Sequence, residues 1–76
     1  VFNVEHDWVE NGVPVLLAVD FDIKRILNFI KEINYNGING KIVCFDFQKE
    51  VIDVYCGENI SFTPISAEKF RQAFLN

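Results

Sequence analysis

KIVCFDFQKEVIDVYCG, residues 41–57, is the stretch whose reading decides the fold. Two runs rich in β-formers flank the polar pair Lys49-Glu50, which reads as a two-residue hairpin loop. With Gln48 opposite Val51, Phe47 faces Ile52, Phe45 faces Val54 and Val43 faces Cys56, so one face is wholly apolar. The other face takes Asp46 opposite Asp53, Cys44 opposite Tyr55, and Ile42. A one-residue slip would put Asp46 or Asp53 among the phenylalanines, so the pattern predicts this register.

Upstream, residues 1–9 alternate, with Phe2, Val4, His6 and Trp8 on one side and Asn3, Glu5 and Asp7 on the other. That is the period of a half-buried strand. Asn11-Gly12 suits a type I′ turn, which needs positive φ at both central residues. Residues 13–20 return as a second strand, with Glu10 opposite Val13, Trp8 opposite Val15, His6 opposite Leu17 and Val4 opposite Val19. Pro14 lacks an N–H, which argues for an edge strand. Asp20 can cap a helix beginning at Phe21, whose stripe is Ile23, Ile26, Leu27, Ile30 and Ile33. Asn36-Gly37 ends it.

Downstream, residues 60–63 read as a short further strand closed by Pro64. Ser66 then caps a last helix carrying Ala67, Phe70, Ala73 and Phe74. The order is ββαββ(β)α. It predicts an α+β fold, a two-layer sandwich in which two helices cover one face of a mainly antiparallel sheet of four or five strands. Residues 1–76 are read as one domain. In order and approximate length the first five elements resemble a β-grasp domain.

Half of the residues are hydrophobic and eight are Phe, which argues for a packed core in a chain of 76 residues. A chain this short buries only about 60–65% of the surface it exposes when unfolded. No apolar run approaches the roughly 18 residues of a membrane span. Cys44 and Cys56, set on opposite faces of the expected hairpin, should not bridge. Reduced thiols point to a cytoplasmic protein.

The net charge is −4, unevenly spread. Glu5, Asp7, Glu10, Asp20 and Asp22 stand in the first 23 residues without a Lys or Arg, whereas the remaining seven bases and six acids nearly balance. Without a basic stripe, direct binding to DNA or RNA is disfavoured.

Among possible chemistries, Asp46 facing Asp53 could share a cation or proton, but two carboxylates fall short of a calcium ligand set. His6 and Cys56 share the expected core side, yet a Cys–His nucleophile needs an exposed, activated thiol. No phosphate loop, CxxC, GxSxG or HExxH pattern occurs. The expectation is therefore a non-enzymatic protein-binding module without a cofactor or metal, a regulator or inhibitor. Its docking surface would be an acidic outer sheet face carrying Glu5, Asp7, Asp20, Asp46 and Asp53 around Leu16, Ile42 and Tyr55. Such a face would meet a basic protein partner, and one version mimics nucleic acid, as small phage-borne inhibitors do. The rival expectation is a homodimer that associates through that sheet face or through the edge of the second strand.

Overall fold

The structure, a computed structural model, describes residues 4–74. Its first hairpin follows from turn chemistry. Asn11 and Gly12 both take positive φ, +52° and +79°, and join β1 (Trp8–Glu10) to β2 (Val13–Leu17). Trp8 pairs with Val15 and Glu10 with Val13, the expected register. β1 is shorter than the alternation implied. Main-chain pairing reaches the Asp7 N–H, which donates to the Val15 carbonyl at 2.8 Å. The Asp7 carboxylate then accepts the Leu17 N–H at 2.6 Å, and His6 and Val4 do not extend the ladder. Residues 1–3 of the expected strand lie outside the described residues.

Helix α1 (Ile23–Asn36) is capped by Asp22, whose carboxylate accepts the Arg25 N–H, and not by Asp20. The chain first makes a tight turn, in which the Phe21 N–H bonds to the Ala18 carbonyl and Phe21 takes φ +54°. Gly37, at φ +63°, closes the helix in the left-handed conformation expected there.

The decisive stretch does not form a hairpin. β3 (Gly40–Phe45) runs directly into helix α2 (Asp46–Asp53), and β4 (Ile60–Ile65) returns parallel to β3, with Ile42 opposite Phe62 and Phe45 opposite Ile65. The physical reason lies at Lys49-Glu50. A type I′ turn asks for positive φ at both residues, which Asn-Gly accepts and Lys-Glu does not, while Lys and Glu are good helix formers. Phe47 and Ile52 are therefore not cross-strand neighbours: Ile52 is buried and Phe47 is 69% exposed. Phe45 and Val54 do not pair either, nor do Val43 and Cys56, and Asp46 and Asp53 stand at opposite ends of α2.

The resulting order is ββαβαβ, followed by α3 (Ala67–Phe74). The sheet is mixed, in the order β1-β2-β3-β4, antiparallel only between β1 and β2. An α+β fold thus stands, and its mainly antiparallel character and β-grasp-like order do not. A helix that links two paired neighbours makes them parallel, and α1 and α2 each do so. β2 is an interior strand despite Pro14. Its pairing with β3 begins at Val15, so the missing N–H interrupts no bond of that ladder.

Among the described residues the main buried cluster lies between the sheet and these two helices. Leu16, Ile42, Cys44 and Ile60 from the strands meet Ile26, Phe29, Ile30 and Ile33 of α1 and Ile52 of α2. Buried Gln48 fastens the top of α2: its Oε1 accepts the Phe45 N–H at 2.8 Å, and its Nε2 donates to the Val19 carbonyl at 3.0 Å. Ser66 caps α3 by accepting the Lys69 N–H, as expected. The side chains of Ala67, Phe70, Ala73 and Phe74, the expected apolar stripe of that helix, lie outside the description.

Candidate functional site

The expected acidic sheet face is dispersed by this topology. Leu16 and Ile42, proposed as exposed anchors, are fully buried beneath the helices. The inward face of the sheet is the one that carries them, because parallel strands joined by α1 and α2 turn that side toward the helix layer. Glu5 and Asp7 are engaged within the chain. Arg25 of α1 donates from Nε to Glu5 and from Nη2 to Asp7 at 3.0 Å, tying the segment before β1 to the helix. The two carboxylates, Glu5 first, raise the Arg25 pKa further above its ordinary value. Asp20 is exposed in the β2–α1 turn. Asp46, Asp53 and Tyr55 belong to α2 and the turn after it, on the helix layer and not on a sheet.

The residues weighed for chemistry occupy quiet surroundings. His6 Nδ1 lies 2.7 Å from the Val4 carbonyl. Cys56 donates from Sγ to the Ile52 carbonyl, and burial pushes its thiol up to about 11. Cys44 is likewise raised, chiefly by burial. Both effects oppose the thiolate that a nucleophile requires. The two cysteines are free, although both belong to the same core and not to opposite faces. Among the described residues no group of three metal-ligating side chains converges, and no helix is long and apolar enough to cross a membrane. Beside the first hairpin turn, at the N-terminal ends of β2, β3 and β4, a cleft of about 330 Å³ includes Glu10, Lys41, Asn59 and Ser61 in its lining. There Lys41 bonds to Glu10 at 2.9 Å and holds the Glu10 carboxyl below its usual pKa, so the two charges largely cancel.

The unusual surface is the outer side of the helix layer. In α2, Gln48 and Ile52 point inward. Lys49 reaches toward β4, with its Nζ 5.9 Å from the centre of the Phe62 ring. The opposite flank carries Phe47, Val51, Val54 and Tyr55 at helical spacing, toward α1, and each is at least half exposed. In α1, Arg25 marks the flank toward β1, and Ile23, Leu27 and Asn34 mark the flank toward α2. The position of Asn34 agrees: a Cβ on Gly57, just beyond α2, would lie 2.7 Å from its Oδ1. Ile23 and Leu27 are 39% and 38% exposed. Two apolar flanks thus face each other across a furrow. Above it the Phe45 ring packs 5.6 Å from Phe47, and both border a cleft of about 230 Å³ with Ile65 and Ser66 at the end of β4.

Charge frames the furrow asymmetrically. The outer ridge of α2 is acidic, with Asp46, Glu50 and Asp53 all exposed. The outer ridge of α1 carries exposed Lys24 and Lys31. Next to the furrow, Phe21 holds a left-handed backbone, a costly conformation for a bulky side chain and one that concentrates at functional surfaces.

No family model, curated protein or solved structure matches this chain.

Proposed function

We propose that the chain is a small non-enzymatic protein-binding module that docks its partner on the α1–α2 face. One observation carries this reading: Ile23, Leu27, Phe47, Val51, Val54 and Tyr55, six of the ten large hydrophobic residues exposed among those described, stand on α1, α2 and the turn after α2. Monomeric proteins seldom leave large contiguous apolar patches open, and docking faces combine such a centre with a charged rim. Aromatic residues are the usual anchors of such faces, and Phe47 and Tyr55, near the two ends of α2, take that role in this reading. The regulator or inhibitor reading is retained, with its surface moved from the sheet to the helices. Of the acids assigned to the nucleic-acid mimic, only Asp46 and Asp53 border this face.

A photoreactive residue at position 51, with a second at exposed Lys69 as control, tests the reading in the protein's own cells. Covalent adducts that form at 51, not at 69, and vanish on Phe47→Asp support it. Adducts formed equally from both positions, or indifferent to Phe47→Asp, overturn it.

A further inference from the structure

We propose that the partner on this face is a second copy of the chain, two copies meeting helix layer to helix layer about a twofold axis parallel to α1 and α2. The inference rests on the docking reading and adds the identity of the occupant. It follows from how charge is arranged. Turning a copy about that axis sets its α2 against α1 of the first, and its α1 against α2 of the first. Lys24 and Lys31 then meet the acidic ridge at both rims at once, while the apolar furrows close on each other. A twofold axis across the helices would instead set lysine on lysine and carboxylate on carboxylate.

Spacing agrees with the first arrangement. Lys24 and Lys31 are seven residues apart, and so are Asp46 and Asp53. Both pairs therefore span about 10 Å of helix, close to two turns on one ridge. Lys24 and Asp46 stand near the N-terminal ends of their helices, and both helices start beyond the C-terminal ends of the parallel strands β2 and β3. The axis parallel to the helices preserves height, so Lys24 falls opposite Asp46 and Lys31 opposite Asp53 of the other copy. An isologous interface needs such self-complementarity, in which each patch matches its own rotated image.

Sedimentation equilibrium on the full chain, into the hundreds of micromolar, tests the proposal together with two charge variants. Lys24→Glu/Lys31→Glu makes both rims acidic. Glu50→Lys/Asp53→Lys makes both basic and spares Asp46 at the start of α2. All four sites are exposed, and circular dichroism checks that the fold persists. The wild type should dimerise with concentration. Each variant alone should dissociate about tenfold or more readily, since attractive rims become repulsive. An equimolar mixture of the two should recover a one-to-one dimer. A wild type that stays monomeric throughout overturns the proposal, as do variants that dimerise like the wild type or a mixture without recovery. A monomeric wild type combined with position-51 adducts to another protein would remove the second copy and leave the docking face standing.

Discussion

Replacing Gln48 by Ala tests the crossover on which the helix layer depends. Gln48 is 8% exposed and makes two hydrogen bonds, from the Phe45 N–H at 2.8 Å and to the Val19 carbonyl at 3.0 Å. The first holds the junction where β3 becomes α2. The second ties that junction to the turn leading into α1. A hydrogen bond of this kind contributes about 0.5–1.5 kcal/mol net, and truncation also strands two poorly solvated backbone groups. Gln48→Ala should therefore cost about 2–3 kcal/mol. In a domain of this size that lowers the melting temperature by roughly 10 °C or more, because 1 kcal/mol shifts it by about 4–8 °C. Gln48→Glu keeps an acceptor for the Phe45 N–H, loses the donor to Val19, and should fall between the two. Urea titration followed by circular dichroism measures all three proteins. A Gln48→Ala variant within about 0.5 kcal/mol of wild type would refute the reasoning, since that is the range of ordinary surface substitutions.

Further predictions concern the backbone and the thiols. Gly40→Ala should destabilise by about 1–3 kcal/mol in the same titration, because the new Cβ would lie 2.8 Å from Ile33 Cδ1 and 3.1 Å from the Phe29 ring. Gly37→Ala meets open space but keeps a φ of +63°, so it should cost about 1 kcal/mol from backbone strain alone. Cys56, with its thiol raised to about 11, favours folding below the unfolded thiol pKa, and that contribution is lost as pH rises toward 11. Labelling of both thiols near pH 8 should be slow in the native chain and fast in urea, and mass spectrometry reads the difference. In NMR spectra, residues 46–53 should show sequential amide contacts of a helix, and Val43 should show contacts to Thr63 and none to Cys56.

The first hairpin, α1 and the Ser66 cap were readable because each rests on local chemistry: Asn11-Gly12, an apolar stripe ended by Gly37, and a hydroxyl three residues before the N–H it accepts. The middle was not, because residues 43–56 satisfy two periods at once. Val43, Phe45 and Phe47 alternate as a strand does, while Gln48 with Ile52 and Phe47 with Val51 keep helical spacing. The signal that separates the two is the pair Lys49-Glu50, poor in a I′ turn and good in a helix. Reading it as a turn places Ile42 on the surface and Phe47 in the core, whereas both are the reverse. Leu16 goes outward for a separate reason, because the alternation of residues 1–9 points to the Trp8 side of the first hairpin as its core side. Tyr55, Asp46 and Asp53 were recognised as surface residues, but the furrow they border depends on how α1 and α2 lie side by side. Arg25 carries its own lesson. Eighteen to twenty residues separate it from Asp7 and Glu5, and no local pattern announces that pairing.

The most direct measurement is a dilution series of amide spectra on the isotopically labelled chain, from high to low micromolar concentration. If two copies meet on the helix layer, the amides that shift with dilution are those of Ile23, Leu27, Phe47, Val51, Val54 and Tyr55, with Lys24 and Lys31 at the rim. Shifts confined to β1 or to the outward side of the sheet at Val13 and Val43, with α1 and α2 unchanged, would contradict the account.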